Sequence, residues 1–310
     1  MIKNLYKQIL LCILLLAPLS LTAAPFSKLV VFGDSLSDSG NLAILPDYNF
    51  LNASPYQHGF NNGAPAVEQL AKLLNLPLTP SLYLSGSVFG NNFAVAGARA
   101  AGDDLTGIDL NNQVAAFLYS QKGNVPNDAL YIIFIGGNDI RDLRDQPNEQ
   151  LAHELLDKAM RNLRDAMSQL LDAGASHFLV VNSPDIGKIP ETWIKARDTH
   201  NYGLVRRGSQ KTFAYNKRLA ETVQHVKKRK GGDFVLFDLL AFFNGIAGNG
   251  KAYNFTNTNK ACYSSAIFQY YPNCDKDKMD SFVYFDEIHP TQRVHERLGR
   301  ALFAVVPEAN

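Results

Sequence analysis

Charge of one sign, cysteine and long apolar runs are all scarce in this chain. The 310 residues carry a formal net charge of +1, which excludes the basic excess that nucleic-acid binding requires. The longest early apolar run, Ile9 to Leu16, falls well short of the roughly 20 residues that span a bilayer. Gly-x-Ser-x-Gly, the nucleophile elbow of the α/β-hydrolase fold, does not occur. His153-Glu154 and His295-Glu296 lack the second histidine of a zinc helix, so no metal site is expected. Gly245 to Lys251 nearly spells a phosphate loop, but Ala252 stands where Ser or Thr reaches magnesium. A nucleotide-binding protein is therefore the remote alternative.

What is present begins with a leader. Lys3 and Lys7 precede the apolar run, and Ala17 to Ala24 follow it with small residues, the order of a secretory signal peptide. Residues 1–24 are expected to be removed near Ala23 or Ala24, leaving a secreted domain over 25–310. Removal also takes Cys12. Cys262 and Cys274 remain, and in an oxidising compartment such a pair is expected to form a disulfide.

From Lys28 onward, strand and helix signals alternate, which favours a mostly parallel sheet covered on both faces. Strands are expected at Lys28–Phe32, Val88–Ala96, Leu130–Ile135, His177–Val181 and Asp233–Asp238, giving five in all. Helices are expected around Ala66–Leu74, Val114–Tyr119, Glu149–Asp172, Phe213–Val226 and Thr291–Val305. Residues 245–282 form a long polar segment rich in Gly and Asn. No linker or repeat interrupts the pattern, so one α/β domain is expected.

Three strand ends carry candidate chemistry. Gly33-Asp34-Ser35-Leu36 ends the first strand and puts a serine hydroxyl where open α/β sheets bind ligands. A serine is a weak nucleophile until a base takes its proton and donors hold the oxyanion. Asp286 and His289 supply an acid and a base three residues apart. Asn138 and the Gly97 backbone N–H are candidate oxyanion donors, with Gly97 allowing close approach.

These blocks resemble the SGNH subgroup of the GDSL hydrolases. Gly33-Asp34-Ser35-Leu36, Gly97, Gly136-Gly137-Asn138-Asp139 and Asp286-x-x-His289 occur in family order across nearly all of the chain. Ala96 departs from the pattern where many members have a second glycine. Phe60-Asn61-Asn62-Gly63 is similar to a segment of the branch holding secreted lysophospholipases A and glycerophospholipid–cholesterol acyltransferases.

The resemblance implies a three-layer α/β/α sandwich with a flavodoxin-like, five-stranded sheet and no cofactor. It implies catalytic Ser35, His289 and Asp286, with an oxyanion hole of Ser35 N–H, Gly97 and Asn138; Asp34 would only steady the turn. The expected substrate is a lysophospholipid, with water as acceptor, possible transfer to another alcohol, and transient contact with a membrane surface. A short-chain or carbohydrate ester is the alternative within the same chemistry. Phe242, Phe243, Phe268, Tyr270 and Tyr271 are candidates for an acyl path. The Cys262–Cys274 loop, a dozen residues before Asp286, is expected to border the site and influence access, with a purely structural staple as the alternative. Head-group preference and oligomeric state are not legible.

Overall fold

A computed structural model describes residues 26–102 and 105–306. The expected leader over residues 1–24 and Cys12 lie outside the described residues. The central sheet holds β1 (Leu29–Gly33), β2 (Leu130–Phe134), β3 (His177–Val181) and β4 (Asp233–Phe237), adjacent in that order and all parallel. Leu29 faces Leu130, which in turn faces His177, and His177 faces Asp233.

Side-chain alternation sorts these strands between two cores. Val30, Phe32, Tyr131, Ile133, Phe178 and Val180 face one side. There they pack against α2 (Leu110–Ser120), α4 (Glu149–Asp172) and α6 (Gly203–Lys230). Val31, Ile132, Phe134, Leu179 and Val181 face the other side, covered by α1 (Ala66–Leu73) and α8 (Gln292–Phe303). The result is a three-layer α/β/α sandwich.

Four strands form the regular ladder where five were expected. Residues 91–95 occupy the fifth place, beside β1, through Val31 N–H to Asn91 O, Phe93 N–H to Val31 O and Val95 N–H to Gly33 O. Asparagine side chains explain the irregularity, because they offer the backbone alternatives to a ladder. Asn91 Nδ2 donates to Leu29 O and Pro77 O, and Asn92 Nδ2 donates to Ser37 O. Counted by position, this segment makes the order 2-1-3-4-5, the flavodoxin-like arrangement. Its topological switch lies between β1 and β2, where such sheets bind ligands.

The chain also forms α3 (Gly137–Asp145), α5 (Pro190–Asp198) and α7 (Leu239–Gly248), which the sequence pattern did not suggest. The polar segment is ordered by a parallel pair, β5 (Asn257–Ala261) with β8 (Phe282–Tyr284), and by a small hairpin, β6 (Tyr263–Ser264) with β7 (Gln269–Tyr270). The hairpin and the Cys262–Cys274 disulfide help build a third cluster with Leu42, Leu51, Tyr56, Val95 and Phe285. This cluster lies beside the carboxyl end of β1. Among the described residues, no helix is long and apolar enough to cross a membrane.

The α1–α8 contact depends on a glycine. A Cβ at Gly299 would lie 2.4 Å from Gln69 Cβ and 3.1 Å from Ala66 O. Gly299→Ala should therefore lower stability by about 1–3 kcal/mol in urea unfolding, the usual cost of overpacking. Gly245, in α7, meets nothing within 4 Å, and Gly245→Ala should instead be neutral or stabilise by up to about 1 kcal/mol.

Candidate active site

The nucleophile candidate stands on a turn held by buried carboxylates. Gly33 has its own N–H and C=O both bonded to the Gln113 amide at 2.8 Å. A Cβ there would meet Phe134 O at 2.5 Å, so strand β1 can pass β2 only with glycine at this place. Asp34 to Asp38 then form one helical turn, with Ser37 N–H and Asp38 N–H donating to Asp34 O. Asp38 is fully buried and its carboxylate accepts the N–H groups of Gly40, Asn41, Leu42 and Ala96. That last bond ties the serine turn to the Gly97 loop.

Among the described residues, Asp34 makes no hydrogen bond to His289. Its Oδ1 accepts Leu36 N–H at 3.1 Å. Burial pushes its carboxyl up to about 6, opposed by the Leu36 amide, the His289 charge and the amides of Gly136 and Gly137. These contacts suit a turn-steadying role.

His289 Nε2 lies 2.8 Å from the half-buried Ser35 Oγ. Its Nδ1 lies 2.9 Å and 2.8 Å from the two oxygens of Asp286, which is completely buried. Asp286 Oδ1 also accepts the N–H groups of Ile288 and His289, at 2.8 Å and 2.7 Å. With the Nδ1 proton facing Asp286, Nε2 is free to accept the Ser35 proton, and the carboxylate stabilises the imidazolium that forms. The Phe60 ring stacks on the imidazole at 5.1 Å and 19°, restricting its rotation. Asn62 Oδ1 accepts Gln292 N–H at 2.8 Å, fixing the start of α8 just beyond His289.

The oxyanion candidates occupy neighbouring places. Asn138 lies in the first turn of α3; its Nδ2 donates one N–H to Ala98 O at 3.0 Å, which leaves the second N–H for a ligand. Arg141 donates to Asn138 Oδ1 at 3.4 Å. Gly97 has φ +88°, a conformation that favours glycine. Asp139 accepts Ala100 N–H and Ala101 N–H at 3.0 Å and 2.7 Å, joining α3 to the Gly97 loop. Burial pushes the Asp139 carboxyl up to about 6 against the pull of those amides. Among the described residues, neither Ser35 N–H nor Gly97 N–H is taken up by another protein group.

Ser35 and Asn138 line one narrow cavity with Ile135, Ile186, Phe243 and Ile288. Gly97 does not line it and connects to Asn138 through Ala98. Of the aromatic acyl-path candidates, Phe243 faces this cavity, whereas Phe242 packs into the cores. Phe268, Tyr270 and Tyr271 lie in the disulfide loop instead. Cys262 and Cys274 are bonded, with Cα atoms 5.3 Å apart.

That loop borders the site by two routes. Phe268 packs on Phe50 at 5.3 Å, Phe50 on Phe60 at 6.2 Å, and Phe60 on His289. Tyr271 Oη and Ser265 Oγ each donate to Glu287 at 2.8 Å, immediately beside Asp286. The near phosphate loop at 245–251 runs off the end of α7 and makes no strand-to-helix turn.

Sequence reasoning missed Arg141, Glu287 and His295. His295 is buried and accepts Ala66 N–H at 3.1 Å, thereby capping α1 from α8. Its lone signal was a histidine on the inward stripe of an amphipathic helix.

Residues 29–302 match the family model described as GDSL-like Lipase/Acylhydrolase. The chain is 27% identical to thermolabile hemolysin of Vibrio parahaemolyticus over 89% of its own length, and spans 63% of that protein. It is 27% identical to phosphatidylcholine-sterol acyltransferase of Aeromonas hydrophila, covering 84% of this chain and 73% of that one. An Arabidopsis thaliana protein named inactive GDSL esterase/lipase-like protein 25 is 24% identical, over 90% of this chain and 72% of that protein. A solved acetylxylan esterase, Axe2 of Geobacillus stearothermophilus, superposes with a TM-score of 0.47 at 17% identity, over 89% of this chain and 92% of that one.

The His295 cap generates a pH dependence. Burial, and next the charge of His289, lower its pKa from 6.5 to about 3. The stability that neutral His295 contributes is present above about pH 6.5 and is lost as pH falls toward 3. His295→Gln keeps an acceptor that cannot take a proton. The stability of the wild type minus that of the variant should fall by up to about 1.4 kcal/mol per pH unit across this window. Urea unfolding at several pH values measures it. Asp34 and Asp139 titrate in the opposite sense in both proteins and cancel, so a pH-independent difference refutes a neutral buried cap.

Proposed function

Because the chain belongs to the GDSL lipase/acylhydrolase family over residues 29–302, we propose that it is a secreted serine esterase that deacylates lysophospholipids. The observation that carries the chemistry is the contact from Ser35 Oγ to His289 Nε2 at 2.8 Å, backed by buried Asp286. In this scheme Ser35 Oγ attacks the ester carbonyl carbon while His289 Nε2 takes its proton. The N–H groups of Ser35, Gly97 and Asn138 hold the resulting oxyanion. His289 returns the proton to the departing alcohol, leaving an acyl-serine. Water, activated by His289, then releases the fatty acid; a second alcohol in its place receives the acyl group instead.

The lipid half of the reading draws on three supports. Phosphatidylcholine is in the name of one relative, and haemolysin is the name of another. The cavity beside Ser35 is walled largely by aliphatic and aromatic side chains. Ile267 and Phe268 at the tip of the disulfide loop stand 64% and 53% exposed, with Phe268 packed on Phe50 and Phe50 on Tyr48, and offer apolar surface to a lipid aggregate. Export through a leader over 1–24, with a single hydrolase domain over 25–310, completes the proposal. Within it, the Cys262–Cys274 loop governs access to the site.

Ser35→Ala and His289→Ala should each lower ester turnover by about 10⁴-fold or more, and Asn138→Ala by about 10² to 10³. Circular dichroism should stay unchanged. Wild-type turnover in the first two variants would end the mechanism. Wild-type protein should release palmitate from lysophosphatidylcholine more efficiently than acetate from a small ester; the reverse order would favour a short-chain or carbohydrate ester.

Replacing Cys262 and Cys274 together by serine should alter turnover on lysophosphatidylcholine at least several-fold more than on p-nitrophenyl acetate. Equal effects on both would reduce the loop to a staple.

A further inference from the structure

One cation in the cavity beside Ser35 has no assignment in the scheme above. Arg141 lies one turn after Asn138 on α3 and lines the same cavity as Ser35, Asn138 and Ile288. Its Nε is buried and has no hydrogen-bond partner among the described residues. Among the described residues, its terminal nitrogens make only long contacts, 3.3 Å to Glu191 Oε1 and 3.4 Å to Asn138 Oδ1. A guanidinium has five N–H donors in a planar fork, and those of Arg141 are mostly unspent.

Its acidic neighbour is already committed. Glu191 pairs with Arg144 through both oxygens, one of them at 3.0 Å from Arg144 Nη2. Arg144 is completely buried and makes a second pair with Asp145 at 2.8 Å, while Lys195 also bonds Asp145. Three cations, Arg141, Arg144 and Lys195, thus share two carboxylates, Glu191 and Asp145. The cation with the longest contact to its shared carboxylate, Arg141, is the one that faces the cavity. Asp34 lines the same cavity, but turns its carboxylate toward the amides of Leu36, Gly136 and Gly137.

A cation with open donors, whose one carboxylate partner is shared with Arg144, costs stability in an apolar wall unless something uses it. We propose that Arg141 is an anion-binding residue of the active-site cavity, which holds a phosphate or phosphodiester of the substrate beside the oxyanion donor Asn138. The inference rests on the acyl-ester reading and narrows it to esters that carry such a group a few bonds from the scissile carbonyl. A planar fork beside a water-poor wall suits two phosphate oxygens at once. The weak bond to Asn138 Oδ1 yields to such a ligand at small cost, because Asn138 stays anchored by Ala98 O.

The test compares two esters with the same acyl chain, 1-palmitoyl-lysophosphatidylcholine and 1-palmitoylglycerol. Arg141→Gln should lower the ratio of their kcat/KM values by about 10- to 100-fold, the scale of a lost hydrogen bond to a charged group. The loss should appear mainly in KM for the phosphodiester. Arg141→Lys should recover part of the ratio. Any loss common to both esters, such as a disturbed Asn138, divides out. An unchanged ratio overturns the proposal and leaves Arg141 as a positioning residue for Asn138.

A second measurement does not depend on the lipid being the substrate. sn-Glycerol 3-phosphate should inhibit hydrolysis of p-nitrophenyl butyrate competitively in the wild type, with an inhibition constant at least tenfold higher in Arg141→Gln. If lysophosphatidylcholine is not cleaved but this inhibition holds, the lipid reading fails and the anion site stands. No inhibition of the wild type at tens of millimolar overturns the site.

Discussion

The bond between Ser35 and His289 joins residues 254 positions apart, and most of the structure can be read as what holds that bond closed. Neither end does so alone. The serine end is fixed by β1 in the middle of a hydrogen-bonded sheet. The histidine end has no such support, since residues 285–291 lie outside any regular element. It is fastened from several directions instead: Phe285 N–H to His289 O, Thr291 N–H to Val283 O, Phe60 against the ring, and Asn62 at the start of α8. The α1–α8 contact, with Gly299 at its closest point and His295 bridging it, sets where this fastening sits relative to the sheet.

Buried carboxylates perform the corresponding task on the sheet side, and they are not interchangeable. Asp34, Asp38 and Asp139 spend their oxygens chiefly on backbone amides, so each ties one loop to another and none is presented to an imidazole. Asp286 also takes two amides, but both belong to the turn that carries His289, so its remaining lone pairs point at the ring. The difference between a structural acid and a candidate catalytic one here is which amides lie within reach. Low dielectric at the carboxyl end of the sheet makes every one of these bonds strong and every omission costly.

Much of this was legible in the residues, and what was not has identifiable causes. The helix over Glu149–Asp172 and the strand over His177–Val181 agree with the sequence pattern to the residue, because each is a long or largely buried run of one period. The strand expected over Val88–Ala96 dissolved into an irregular edge because Asn91 and Asn92 compete for the backbone, a property that apolar periodicity does not see. Helix α3 was hidden for a related reason: it begins at Gly136-Gly137, which reads as a turn, and its inward face includes Asp139 and Arg144. Ser35, Asp286 and His289 could be named because their spacing carries chemistry. Arg141 and Glu287 could not, since their importance comes from neighbours on other segments.

The same 254-residue separation has a consequence for the order in which the molecule comes into being. A chain made from its amino terminus acquires Ser35 early and His289 almost last. Until then it carries the proposed nucleophile without the proposed base, however well the sheet has begun to form. Any product of premature termination upstream of His289 is in the same condition, and so is a chain clipped of its last loop and helix. In the proposed mechanism, chemical competence is thus coupled to completion of synthesis.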